Sequence, residues 1–190
     1  MNTLLQEIKG CTICKAQLPL GPRPVFSIAE DSKICIIGQA PGTKVHESGI
    51  PWDDASGRLL RSWLGVTEDE FYNPSNFALV PMGFCYPGKG KSGDLPPRPE
   101  CASTWHETIF KQLKSIRLFI LIGTYAQSYY LKEKSKANLT ETVRNFKMYQ
   151  TLYFPLPHPS PRNRFWVFKN EWFEKDVLPD LKKQVQSILS

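Results

Sequence analysis

Four short apolar runs are spaced along this chain, each separated from the next by amphipathic or polar stretches, and their lengths suit strands. They predict strands over 33–38, 77–82, 116–122 and 150–155. Helical spacing of apolar positions predicts helices over 2–9, 56–65, 67–72, 99–114, 124–132 and 165–188. Strands alternating with helices predict an α/β fold, a three-layer α/β/α arrangement around a central, mostly parallel four-stranded sheet. The length of 190 residues suits one domain, 1–190, with a single core. One stretch breaks the alternation. Residues 83–98 hold Gly88, Gly90, Gly93, Pro96 and Pro97, and an irregular connection that long inside a compact domain is usually functional.

Two loops stand directly after apolar runs. Lys33-Ile34-Cys35-Ile36-Ile37 leads into Gly38-Gln39-Ala40-Pro41-Gly42, and Leu152-Tyr153-Phe154-Pro155-Leu156 leads toward His158-Pro159-Ser160-Pro161-Arg162-Asn163. Open α/β sheets bind ligands at such strand ends. Small residues in the first loop let backbone approach a flat ligand closely. Prolines around His158 restrict φ and hold the imidazole in place. Neighbouring strands would make the two loops one pocket. His46 and His106 have no such frame and read as surface residues.

Hydrophobic residues at 41% and aromatics at 12% exclude a disordered chain. No apolar run approaches the roughly 20 residues of a membrane span. The stretch Met1–Lys9 reads as an amphipathic helix without a signal-peptide core, so a cytoplasmic location with no membrane partner is expected. The net charge of +6 suits a polyanion but is equally compatible with an ordinary basic enzyme.

Cys11 and Cys14 form a Cys-x2-Cys pair, and Cys85 and Cys101 bracket the irregular segment. In a reducing compartment such cysteines are metal ligands or catalytic groups more often than disulfides. Together they could close a four-thiolate site for zinc or an iron–sulfur cluster, or remain unliganded buried thiols. Cys35, among Ile34, Ile36 and Ile37, reads as core.

The two loops with the four cysteines in order resemble the uracil-DNA glycosylase superfamily. Gly38–Gly42 is similar to its first signature. His158–Asn163 is similar to its second, in the form seen in the single-strand-selective enzymes. Gly49-Ile50-Pro51-Trp52-Asp53-Asp54 and Leu121-Ile122-Gly123 resemble segments of the thermophile-type, iron–sulfur branch, in which cysteines placed like Cys11, Cys14, Cys85 and Cys101 hold a [4Fe–4S] cluster. The resemblance implies a monofunctional hydrolase of base-excision repair that flips a deaminated base out of DNA and cleaves its N-glycosidic bond, acting as a monomer. It implies that His158 donates to the leaving base and that Trp52 stacks on it. Gln39, Ala40, Pro41 and Gly42 would line the base pocket, while Ser160, Arg162 and Asn163 would contact the DNA. Lys89, Lys91, Arg144, Arg164 and Lys169 are further candidates for phosphate contacts.

Three positions depart from the family pattern. Ala40 stands where the best-known branch has a water-positioning aspartate, leaving Asp54, or Asp53, as the replacement. Pro81 stands where an asparagine reads uracil, and proline offers neither side-chain amide nor N–H. Gly42 replaces a bulky tyrosine that excludes the thymine methyl, so a wider pocket is expected. Ala40 and Pro81 together also allow a second reading, a cluster-bearing protein that binds damaged DNA without cleaving it. No amine suited to lyase chemistry is evident in the sequence.

Overall fold

The computed structural model describes residues 1–91 and 93–190. Strands β1 (Ile34–Ile37), β2 (Phe77–Leu79), β3 (Leu118–Ile122) and β4 (Tyr153–Leu156) form one sheet in the order β2-β1-β3-β4. Every pairing is parallel. The expected layered α/β/α fold is present, and its sheet is wholly rather than mostly parallel.

Side chains alternate between two buried faces, as strands covered on both sides require. Leu79, Ile36, Ile120 and Phe154 are in register across the sheet and belong to one core. The next residues along, Ile37 and Leu121, belong to the other. The first core is closed by α3 (Ala55–Leu64), α4 (Glu68–Tyr72), α8 (Leu139–Arg144) and α10 (Leu178–Leu189), through Leu60, Phe71, Val143 and Leu181. The second is closed by α1 (Asn2–Lys9), α6 (Glu107–Gln112) and α7 (Gly123–Leu131), through Ile8, Ile109 and Ala126. Three short helices complete the set: α2 (Thr43–Ser48), α5 (Pro99–Cys101) and α9 (Arg164–Lys169). A π-helical turn, Ala102–His106, joins α5 to α6.

The differences from the expected elements have local causes. Strand β2 ends at Leu79 rather than near 82, although Val80 and Met82 N–H still donate to Ile36 O and Gly38 O at 3.0 and 2.8 Å, with Pro81 between them on the outward-facing side of this edge strand. Pro155 is accommodated because β4 is an edge strand. Helices α2 and α8 are too short to show a periodic signal. His46 and His106 are buried, 8% and 2% exposed, not at the surface. His106 Nε2 lies 3.1 Å from Pro81 O, which only accepts, so Nε2–H is the donor and the Tyr130 hydroxyl donates to Nδ1. Burial pushes its pKa down to about 4. His46 is held below its ordinary value by desolvation and then by the charge of Arg23.

Candidate active site

The C-terminal ends of the strands open into a cavity of about 390 Å³. It lies beside the point where the chain leaves β1 and β3 in opposite directions, the usual ligand position of a doubly wound sheet. The two loops singled out in the sequence do meet here, though β1 and β4 are not neighbours. Strand β3 lies between them and passes directly into α7 without an intervening loop, so the loops meet over its end. Buried Gln127, on α7, donates its side-chain N–H to Leu156 O at 2.8 Å and pins the end of β4 from which the second loop departs. Asn163 Nδ2 donates to His158 O at 2.8 Å and closes that loop on itself.

Trp52 and His158 stand side by side in the cavity wall, ring centroids 5.8 Å apart. Trp52 is held there at some cost. Its φ is +60°, a left-handed conformation worth about 1–3 kcal/mol of strain in a non-glycine residue. Two glycines make its position possible. A Cβ on Gly38 would fall 2.6 Å from Trp52 Cζ2, and one on Gly57 would fall 1.8 Å from Trp52 O. Half-buried Trp52 also packs against the core, so it serves both structure and cavity.

Asp54 lines the cavity and caps α3, its Oδ1 accepting from Gly57 N–H at 2.8 Å. Asp53 is exposed, and the cavity wall does not include it. Of the two carboxylates expected from the sequence, only Asp54 is therefore in place. The structure adds a second that the sequence did not reveal. Leu95 N–H donates to Gly88 O at 2.8 Å, folding part of the irregular segment into a hairpin that carries Asp94 and Lys89 into the cavity wall. Asp94 Oδ2 lies 3.3 Å from where a Cβ on Gly42 would stand, so the small residue at 42 leaves space for this carboxylate. The only signal in the sequence was a glycine-rich loop of unusual length.

Gln39, Ala40, Pro41, Gly42 and Pro81 are all in the cavity wall, as expected. So are Ser160 and Arg162, whereas Asn163 acts on the loop from behind. Lys89, one of the candidates for a phosphate contact, puts an exposed amine at the rim. Arg144 instead lies over Trp172, 5.7 Å from its centroid. Desolvation lowers the pKa of His158, and the charges of Asp54 and Asp94 partly oppose that shift.

All five cysteines are free thiols, and Cys35 is fully buried core. Cys11, Cys14 and Cys85 are near enough to Cys101 to perturb it electrostatically. Burial raises the thiol of Cys85 to about 11 and that of Cys101 to about 12. Burial also raises Cys14, and a hydrogen bond from Arg98 partly offsets it. Among the described residues, no three histidine, cysteine or carboxylate side chains stand where they could share one metal ion. The four thiols are thus neighbours, with none of them tied up in a disulfide.

Comparison with known proteins bears on what this cavity does. Residues 26–182 match the family model described as the uracil DNA glycosylase superfamily. Among solved structures, the chain is similar to a solution NMR structure from Methanosarcina acetivorans described as a candidate uracil DNA glycosylase. That likeness is distant, with 17% identity over 84% of this chain and 98% of the other, and a TM-score of 0.46.

Proposed function

Because the chain belongs to the uracil DNA glycosylase superfamily, we propose that it hydrolyses the N-glycosidic bond of uracil or another deaminated base flipped out of DNA, opening base-excision repair. The observation that carries this reading is one cavity holding an aromatic face, an imidazole and two carboxylates: Trp52, His158, Asp54 and Asp94. Its volume of about 390 Å³ lies within the roughly 300–1,000 Å³ typical of small-ligand pockets.

In such a reaction the base departs as an anion while the sugar gains positive charge. Trp52 offers a face on which a flipped base stacks. His158, its pKa lowered by desolvation, is a neutral imidazole at pH 7. Its N–H donates to a base carbonyl oxygen and strengthens as charge grows there. One such donor is worth about 10²–10³ in rate. Asp54 and Asp94 counter the positive charge on the sugar and orient the attacking water, work that Ala40 cannot do. Lys89 and Arg162, at the rim, hold phosphates.

Specificity follows from the other walls. Pro81 supplies no amide to pair with uracil, and a site without that partner loses its main basis for choosing uracil. Gly42 admits Asp94 rather than a bulky side chain. Hypoxanthine and xanthine are therefore substrates to test beside uracil. The enzyme is monofunctional in this reading, so borohydride traps no covalent protein–DNA complex.

Cys11, Cys14, Cys85 and Cys101 are proposed as ligands of a [4Fe–4S] cluster, with zinc as the alternative. Binding either would require the thiols to close up and ionise, and no catalytic step depends on it. Iron, sulfide and zinc measured per chain decide this, and a metal-free protein as purified removes both assignments.

Excision is tested with oligonucleotides carrying uracil, hypoxanthine or xanthine, followed by alkaline cleavage at abasic sites. Abasic product from at least one is expected. Tight binding with no product from any would replace this reading with that of a damage-binding protein, which Ala40 and Pro81 favour.

A further inference from the structure

Phe165 and Phe168 are each 80% exposed, more than any other large hydrophobic residue among those described. They lie on α9, which begins directly after the turn carrying Arg162 of the cavity wall. Three residues apart on a helix, they share one side. The orientation of α9 is fixed from the opposite side. Trp166 and Val167 pack against the core, Trp166 Nε1–H donates to Thr140 Oγ1 at 2.8 Å, and Asn170 Nδ2 donates to Trp166 O at 2.7 Å. The two rings are thus held in solvent by a well-anchored helix, where they contribute nothing to the fold. Exposed aromatic surface of this kind marks an interaction site.

The charge around the rings identifies the partner. Arg164 and Lys169 bound α9, both exposed, and from Ser160 to Asn170 there is no acidic residue. A second copy of this chain would bring the same cations face to face across a two-fold axis. Aromatic rings among cations are instead what unpaired nucleic acid requires: phosphates meet the charges, and exposed base faces meet the rings. A duplex hides those faces.

We infer that Phe165 and Phe168 are a stacking platform for unpaired bases flanking the target nucleotide, giving preferential binding to single-stranded or frayed DNA. The inference rests on the glycosylase reading above for the identity of its partner.

The test compares wild type with the Phe165→Ala/Phe168→Ala double variant, using a fluorescent uracil-containing single strand and its duplex at one fixed salt concentration. The exposed positions leave the melting temperature unchanged. Base–aromatic stacking corresponds to about tenfold or more in affinity per ring. The double variant is expected to lose that affinity for the single strand, to keep its affinity for the duplex, and to recover when both positions are made Trp. Undiminished single-strand binding, or an equal loss on both DNAs, overturns the platform. So does a concentration-dependent dimer of the wild type that the double variant abolishes. A wild type that neither binds nor processes either DNA contradicts the glycosylase reading itself.

Discussion

At the scale of single residues, the account depends on His158 being a neutral donor. Desolvation, the larger influence, puts its pKa below the ordinary 6.5 despite the charges of Asp54 and Asp94. The acid limb of the excision rate should therefore have its inflection below pH 6.5, as the imidazole takes up a proton. A rate–pH profile with an inflection at or above 6.5 would contradict this. The carboxylates can be tested separately from the fold. Asparagine caps a helix about as well as aspartate, so Asp54→Asn should retain the melting temperature. Asp54→Asn and Asp94→Asn should each slow single-turnover excision about tenfold or more, roughly 1.4 kcal/mol of transition-state stabilisation. His158 was legible because it sits in a proline-marked motif after a strand, and Trp52 through the resemblance of its segment to the family. Asp94 was not, because nothing local shows that its loop folds back over Gly42. His46 and His106 were misjudged because burial comes from packing partners remote in sequence, such as Tyr130.

At the scale of elements, the turn from Trp52 to Gly57 couples fold to chemistry. It sets the strained Trp52 backbone, the Asp54 cap and the start of α3 together. Gly57→Ala would drive a methyl group into the Trp52 carbonyl. A loss of about 1–3 kcal/mol is expected in chemical denaturation, with excision impaired because Trp52 and Asp54 both shift. Wild-type stability and activity in that variant would show that the turn is not the constraint described. A second coupling lies beneath Pro81, where His106 holds the carbonyl of a cavity-wall residue. The folded pKa of about 4 lies below the ordinary 6.5, so the unfolded chain binds a proton that the native state refuses. Stability is full above pH 6.5 and falls on the order of 3 kcal/mol by pH 4 from this group. Denaturation at pH 7 and pH 5 should show the drop, and His106→Gln should reduce it. The four strands were legible as apolar runs buried on both faces. Their order was not, since pairing depends on crossovers that local pattern does not encode. The two loops nevertheless meet, across the end of β3 rather than between neighbouring strands.

At the scale of the whole molecule, a parallel sheet with two cores presents one charged, aromatic-rimmed opening. No helix among the described residues is long and apolar enough to cross a membrane. The net charge of +6, uninformative alone, gains meaning from Lys89 and Arg162 at the cavity and Arg164 and Lys169 around the exposed rings. DNA binding should therefore weaken steeply as salt rises. The most direct test of the central claim is single-turnover release of a deaminated base by wild type and His158→Ala at pH 7.5. The account predicts abasic product from the wild type and a rate about 10²–10³ lower in a variant that still folds and binds DNA. Wild-type protein that releases no base, or a His158→Ala variant as fast as wild type, would contradict it.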